Sequence, residues 1–150
     1  MPHTASNLLV HLISSTKERL PLISAEIACD LHAYLGGIAR EIGGKALAIN
    51  GTVDHVHLLM RTPTARSSAE IVRLLKANSS KWIHQKWPQQ CMFTWQSGYG
   101  AFSVSESAVQ SVMSYIAHQQ EHHKKISFQD EFRAFLRKNN VEVDERYLWN

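Results

Sequence analysis

The sequence contains little cysteine, and Cys29 and Cys91 lie far apart and form no CxxC pair. We therefore expect a reduced, cytoplasmic protein whose thiols have no special chemical role. The chain also lacks any run of about 18 apolar residues, so no segment is expected to span a membrane. Its first residues, MPHTASNLLVHLISS, do not have the basic-then-apolar order of a signal peptide.

Internal repeats, low-complexity tracts, interdomain linkers and a phosphate-binding glycine loop are also missing from the sequence. A chain of 150 residues is long enough for one domain with a real core. We expect a single domain over residues 1–150, with its core at about 5–125 and a C-terminal helix and tail at 126–150. The net charge of +3 permits a polyanionic partner without requiring one.

The order of predicted elements indicates an α+β fold. A capping-box pattern of Ser67 and Glu70 opens the second helix, and Ser105 or Ser107 is expected to cap the third. Strands are predicted at 7–14, 45–50, 53–60 and within 92–105, and helices at 24–42, from 67, at 108–123 and from 126. The first six elements match a ferredoxin-like β-α-β-β-α-β antiparallel sheet, followed by an added C-terminal helix and a short helical tail. The apolar end of that tail predicts docking on this subunit or on a partner.

Two histidines alternate with apolar residues in the predicted strand VDHVHLLM. Because side chains alternate across a strand, His55 and His57 share one face, and Asp54 points the other way. The opposite face is apolar and should pack under the helices, through Val56, Leu58 and Met60. Neutral imidazole binds divalent ions well. By itself, however, such a pair is more often two half-exposed histidines than a metal site, and two ligands leave an ion underbound.

The helix predicted at 108–123 carries a second set of polar side chains. Tyr115, Gln119 and His122 fall within about 60° of one another on one edge of the helix. Gln119 could add a third ligand through its carbonyl oxygen, with Tyr115 one turn away. The alternative is that Tyr115 flanks the core and HQQEHHKK is a solvated helix end. His118 and His123 point away from this edge and are expected at the surface.

The combination DHVHLL followed by YIAHQ resembles the HUH-type single-tyrosine transposases, which include the REP-associated transposases. The resemblance covers nearly the whole chain. FTWQSGYGAFSVS is similar to the strand before the catalytic helix of that family, and EHHKKISFQDEFRAFLRKNNVEVDERYLW is similar to its C-terminal segment.

The resemblance implies a role for each matching residue. His55, His57 and Gln119 would bind a divalent ion, Mg²⁺ or Mn²⁺, and Tyr115 would be the nucleophile. Enzymes of this family recognise DNA hairpins, cleave single-stranded DNA at the ends of an insertion sequence through a 5′-phosphotyrosine link, and rejoin the strands. The resemblance also implies a homodimer, in which the tyrosine helix of many members serves the histidine pair of the partner.

Other residues are candidates for supporting roles. His122 shares the edge of Tyr115, so it could contact the scissile phosphate or relay a proton. A basic set near the second helix is equally compatible with a DNA-binding face and with a solvated face: Arg61, Arg66, Arg73 and Lys76. Tyr99, between two glycines, is the best rival nucleophile.

Two other functions remain open from the sequence. The first is a domesticated or non-catalytic hairpin-DNA-binding protein of the same fold. The second is a metal-dependent nuclease or phosphodiesterase, in which the ion activates water and Tyr115 is only structural.

Overall fold

The computed structural model describes residues 1–149 and has the predicted α+β architecture. Its four strands form one antiparallel sheet in the order β2-β3-β1-β4, which is the ferredoxin-like order. The strands are β1 (Leu8–Ser15), β2 (Lys45–Gly51), β3 (His55–Thr62) and β4 (Gly100–Val104). Within the described part of the chain, no helix is both long and apolar enough to cross a membrane.

Two long helices cover one face of the sheet, α1 (Ala25–Glu41) and α2 (Ser68–Lys86). The apolar side of β3 packs against them as predicted, through Val56, Leu58 and Met60. The capping prediction for α2 is also confirmed, because the Ser67 hydroxyl accepts a hydrogen bond from the Glu70 backbone N–H at 3.1 Å.

The other face of the sheet is covered by C-terminal helices, α3 (Val109–Ala117), α4 (Gln119–His122) and α5 (Phe128–Lys138). One apolar cluster joins Leu9 and Leu59 of the sheet to Ile116 of α3. A second joins Phe102 of β4 to Phe132 of α5. The histidine face of β3 is therefore buried under helices and is not exposed to solvent.

The prediction of a single helix at 108–123 is wrong, because the helix is interrupted at His118. The φ and ψ of His118, −104° and 25°, are not helical. The end of β2 holds the break: Asn50 Nδ2 donates to the Ala117 carbonyl at 3.2 Å, and Gln120 Nε2 donates to the Gly51 carbonyl at 3.0 Å. The first of these bonds satisfies a carbonyl that the end of α3 leaves unpaired. The predicted serine cap is wrong too, since a 3₁₀ turn, Glu106–Ala108, precedes α3, and the Ser105 side chain caps neither element.

The fourth strand is shorter than the predicted segment 92–105. Only Gly100–Val104 belongs to the sheet, and Trp95 makes an isolated bridge to Thr16. The preceding loop is held by Lys76, whose ammonium donates to the carbonyls of Gln96 and Gly98 at 2.6 and 2.7 Å. These carbonyls bond a side chain and not a neighbouring strand.

The tail docks on its own subunit, as one of the two predicted possibilities. A last short helix, α6 (Glu145–Leu148), precedes Trp149, and Leu148 and Trp149 pack against the Phe128–Phe132 cluster of α5. Asn150, the final residue of the predicted tail, lies outside the described residues.

Candidate active site

The two strand histidines lie side by side in the buried centre of the molecule. Both are 0% exposed, and their ring centroids are 5.2 Å apart. A tight β2–β3 turn fixes the start of β3, because a Cβ at Gly51 would collide with the backbone of His55. The predicted alternation of β3 is therefore correct, but neither histidine is half-exposed.

His55 is oriented by the residues that precede it. Its Nδ1 lies 2.7 Å from Asp54 Oδ1, which also accepts from the Thr52 hydroxyl at 2.9 Å. Burial by itself would raise the pKa of Asp54, but the bond to His55 keeps it below its usual value. The ionised carboxylate accepts from Nδ1, and this directs Nε2 into the site. Hydrogen bonds of this kind commonly orient histidines that bind metals.

His57 is oriented by a histidine that the sequence analysis did not single out. His11 of β1 is 2% exposed, and its Nε2 lies 2.8 Å from His57 Nδ1. Burial lowers the pKa of His11 to about 3 and that of His57 to about 4, so both rings are neutral near pH 7. With the His57 proton on Nε2, the ring donates to Glu131 and accepts from His11 at Nδ1. In its other tautomer, Nδ1 would donate to a neutral His11 and the Nε2 lone pair would be free for an ion.

Glu131 of α5 is the central residue that the sequence analysis missed. Its side chain is 2% exposed, and its carboxylate lies 2.9 Å from His57 Nε2 and 3.7 Å from His55 Nε2. Burial alone would raise its pKa, but hydrogen bonds from His123, His57 and Tyr115 hold the pKa far below its usual value. A signal existed: Glu131 lies between Phe128 and Phe132 on the apolar side of the helix, where an acidic residue is unusual.

Tyr115 lies beside the same carboxylate, in the same chain as the histidine pair. Its hydroxyl donates to Glu131 Oε2, and its ring centroid is 5.8 Å from that of His57. Burial and the neighbouring carboxylate raise the pKa of the phenol well above its usual value. The phenol is therefore protonated at neutral pH in the metal-free chain.

Gln119 and His122 also lie at the site, as their shared edge with Tyr115 predicted. Gln119 is fully buried, and its Oε1 is 3.2 Å from His55 Nε2. His122 Nε2 lies 3.2 Å from Glu131 Oε2, and its ring centroid is 5.1 Å from that of Tyr115.

The prediction that His123 is a surface residue is wrong, because the break at His118 turns it inward. His123 Nδ1 donates to the Ile126 carbonyl at 2.9 Å, so its Nε2 faces the site. That atom lies 3.1 Å from both Gln119 Oε1 and Glu131 Oε2. Burial would lower the pKa of His123, but the bond to Glu131 raises it. His118, by contrast, is exposed as predicted.

The site gathers imidazole nitrogens with carboxylate and amide oxygens, which are the ligand atoms that divalent cations use in proteins. Ligand atoms of four residues lie within 4.8 Å of one another: His55, His57, His123 and Glu131. The oxygen of Gln119 faces the same space. Imidazole nitrogens with carboxylate and amide oxygens suit a divalent ion. The residues present therefore fit such an ion.

The predicted DNA-contacting residues lie outside this cluster. Three of them already have partners: Arg61 donates to Asn7 at 2.9 Å, Arg66 pairs with Glu70 at 2.6 Å, and Lys76 binds the 96–98 loop. Burial lowers the pKa of Lys76 to about 8. Arg73 is exposed on α2.

A family model described as "Transposase IS200 like" matches residues 4–119, which is most of the chain. The chain belongs to this transposase family. The match includes His55, His57, Tyr115 and Gln119, whereas α5 with Glu131 lies beyond it.

Two solved structures resemble this transposase. One is a crystal structure of a candidate transposase from Deinococcus radiodurans R1, with 27% identity and a TM-score of 0.63, covering 79% of this chain and 95% of that one. The other is a REP-associated tyrosine transposase bound to a REP hairpin, with 11% identity and a TM-score of 0.60, covering 96% of this chain and 90% of that one. The second likeness shows a shared fold. No curated protein matches the chain.

Proposed function

We propose that this transposase cleaves and rejoins single-stranded DNA at insertion-sequence ends, with Tyr115 as the nucleophile. The observation that carries the proposal is the position of the Tyr115 hydroxyl, which bonds the carboxylate that His57 also contacts. A nucleophile and a divalent-ion site thus lie side by side. Phosphoryl transfer needs little more than such positioning and charge neutralisation.

The proposed step forms one bond and breaks another. The Tyr115 oxygen attacks the phosphorus, the bond from phosphorus to the 3′ oxygen breaks, and the 5′ phosphate becomes linked to Tyr115. The phenol proton leaves to solvent, because the pKa of Glu131, which accepts its hydrogen bond, lies too far below its usual value for the carboxylate to keep the proton. The leaving 3′ oxygen takes up a proton and becomes a hydroxyl. Attack by a 3′ hydroxyl on the phosphotyrosine reverses the step, so rejoining needs no ATP.

The residues of the chain must overcome the high pKa of the phenol. Holding an ordinary tyrosine, with a pKa of about 10, as phenolate at pH 7 costs about 4 kcal/mol. A bound divalent ion supplies positive charge that neutralises the scissile phosphate and favours the phenolate. His55, His57 and Gln119 would hold that ion, with Glu131 and His123 as further ligand residues. His122 is placed to contact the phosphate.

Mg²⁺ or Mn²⁺ suits this set of ligands better than a closed structural zinc site does, because amide, carboxylate and phosphate oxygens are hard ligands. We therefore expect cleavage with either ion. A protein that is active only with Zn²⁺ would contradict this choice.

The proposed substrate is single-stranded DNA with hairpin ends, as in the REP-associated relative that is bound to a REP hairpin. Arg61, Arg66, Arg73 and Lys76 remain the proposed phosphate contacts. Arg73 is the best placed of them because it is exposed and, within the described part of the chain, is not held by a hydrogen bond or ion pair like those of the other three. The proposed assembly is a homodimer.

One experiment separates the three functions that the sequence left open. The protein is incubated with labelled hairpin oligonucleotides from the DNA that flanks its gene, together with Mg²⁺ or Mn²⁺, and resolved on a denaturing gel. We expect a covalent protein–DNA band that Tyr115→Phe abolishes. The matched control is Tyr99→Phe, because Tyr99 lies in an exposed loop and should be dispensable.

The other outcomes would reject the proposal in different ways. Cleavage without a covalent band would indicate hydrolysis by a metal-dependent nuclease. Binding without cleavage would indicate a hairpin-binding module.

A further inference from the structure

A cavity of about 380 Å³ opens beside Tyr115, between α3 and α5. Val112 and Tyr115 form one wall, and Ala134 and Phe135 form the other. The cavity adjoins the cluster of ligand atoms, because His11, His122 and Glu131 also line it. None of the roles assigned so far uses its apolar walls.

The size of the cavity limits what it can hold. Small-molecule sites in proteins range over about 300–1,000 Å³. A volume near 380 Å³ therefore has room for one nucleotide and is too small for a duplex.

The lining of the cavity is suited to a nucleic-acid base. Phe135 packs edge-to-face against Tyr115, with ring centroids 5.6 Å apart, so the aromatic wall continues to the nucleophile. Val112, Ile126 and Ala134 add apolar surface. Lys138 also lines the cavity, one helical turn beyond Ala134, and adds a cation that suits a nucleotide phosphate. Stacking on such walls is available to every base because every base has a flat π-face.

The reaction geometry selects one nucleotide. In phosphoryl transfer the attacking and leaving oxygens lie roughly in line through the phosphorus. The nucleotide that leaves with the 3′ oxygen is therefore on the side of the phosphorus away from Tyr115. The nucleotide on the 3′ side of the phosphate stays attached to Tyr115, and the cavity opens beside Tyr115.

We infer that the cavity receives the base on the 3′ side of the scissile phosphate, the nucleotide that becomes joined to Tyr115. This inference rests on the proposed function, since it requires Tyr115 to be the nucleophile. It gives the walls of α3 and α5 a substrate-positioning role. By filling the cavity, the base would hold the scissile phosphate within reach of the phenol.

The test begins by mapping the cleaved phosphate with the wild-type protein. Oligonucleotides with 2-aminopurine, or with an abasic site, on its 3′ side are then bound to Tyr115→Phe protein with Mg²⁺. We expect binding to quench the fluorescence of the 2-aminopurine. We expect the abasic site to weaken binding by about 5- to 150-fold, which corresponds to the free energy of stacking one base on an aromatic side chain.

Filling the cavity should remove both effects. In the Tyr115→Phe background, Ala134→Trp should abolish the quenching and make binding insensitive to the abasic site. Ala101→Trp is the matched control, because Ala101 is also exposed and lines a different cavity, of about 440 Å³, beside β4. Ser111→Trp, on the opposite wall, repeats the test if Ala134→Trp does not fold.

The outcomes distinguish this inference from the proposed function. The inference is overturned, with the covalent band intact, if binding does not quench the 2-aminopurine fluorescence. It is also overturned if the abasic site weakens binding equally with and without Ala134→Trp and Ser111→Trp. Loss of quenching in Ala101→Trp alone would place the base in the other cavity and overturn it as well. Failure of the wild-type protein to form any covalent band would instead reject the proposed function.

Discussion

Glu131 links Tyr115, the proposed nucleophile, to the histidine pair, and it lies beyond the residues that the family model matches. Its carboxylate is buried at 2% exposure and contacts His57, His123 and Tyr115. Hydrogen bonds from these partners keep the carboxylate ionised. A divalent ion bound by the same histidines would take over that role.

We therefore expect Glu131→Gln to weaken metal binding. Losing the carboxylate removes one negative charge from the ion site, and changes next to metal ligands commonly cost about 10- to 100-fold in affinity. Isothermal titration with Mn²⁺ measures the effect. Glu121→Gln is the matched control, because Glu121 is exposed on α4. Equal Mn²⁺ affinity in wild-type and Glu131→Gln proteins would rule out a role for Glu131 at the ion.

At the scale of elements, α5 is the helix that completes the site. Its apolar side packs on Phe102 and Ile13 of the sheet, and the same packing holds Glu131 under His57. Its start is fixed by Ser127, whose hydroxyl accepts from the Asp130 backbone N–H at 3.2 Å. The short helix α4 contributes in a similar way, since the break before it turns Gln119 and His123 inward.

Two cap substitutions should separate the stability of the protein from its function. Ser127→Ala and Ser67→Ala each remove a helix N-cap, and each should cost about 1 kcal/mol of unfolding free energy. Only Ser127→Ala should also weaken Mn²⁺ binding, because α5 carries Glu131 and α2 carries no residue of the ion site. Urea denaturation and Mn²⁺ titration test the two effects. A similar loss of Mn²⁺ affinity in both variants would contradict a specific role for α5.

At the scale of the whole molecule, the two faces of the sheet have different roles. Helices α1 and α2 cover the face that holds the main apolar core, including Val56 and Leu58. The C-terminal helices cover the face that carries the histidines, so that buried ionisable groups lie close together there. This arrangement makes the stability of the metal-free protein depend on pH.

The metal-free protein should lose stability as the pH falls from 6.5 towards 4. His11 and His57 have folded pKa values of about 3 and 4, below the usual 6.5. As the pH falls below 6.5, these histidines therefore bind protons in the unfolded chain but not in the folded chain, which favours unfolding. For His57 alone the loss would reach about 3 kcal/mol. The raised pKa of His123 stabilises the folded chain only as the pH falls to about 6.5 and changes nothing below it.

Urea denaturation with a chelator at pH 7, 5 and 4 measures this loss. We expect His11→Gln to reduce the dependence on pH and His118→Gln, at an exposed position, to leave it unchanged. An unfolding free energy that is the same at pH 7 and pH 5 would contradict neutral, buried histidines.

The single chain also predicts which subunit supplies the nucleophile. Tyr115 contacts Glu131 of its own chain, and that carboxylate contacts its own His57. We therefore expect a mixture of His55→Ala and Tyr115→Phe proteins to form no covalent DNA band. Restoration of the band by mixing would show that the tyrosine helix acts on the histidine pair of a partner.

The sequence by itself determined the features that depend on a local period. The two-residue repeat of a strand sets His55 and His57 on one face, and the spacing of Tyr115, Gln119 and His122 brings them to the same edge, even across the break at His118. The strand and helix order likewise predicted the sheet. These relations hold between neighbours in the chain, so they can be derived without knowing the packing.

Only the tertiary structure decided which distant residues complete the site. Glu131 lies 74 residues from His57, and His11 lies 46 residues before it. Their contacts depend on how α5 packs on the sheet and on which strand neighbours β3. The inward position of His123 depends on Asn50 of β2, which donates a hydrogen bond to the Ala117 carbonyl where the helix is interrupted. Because packing and not local spacing fixes these contacts, the sequence predicted half of the proposed ion site and the structure supplied the rest.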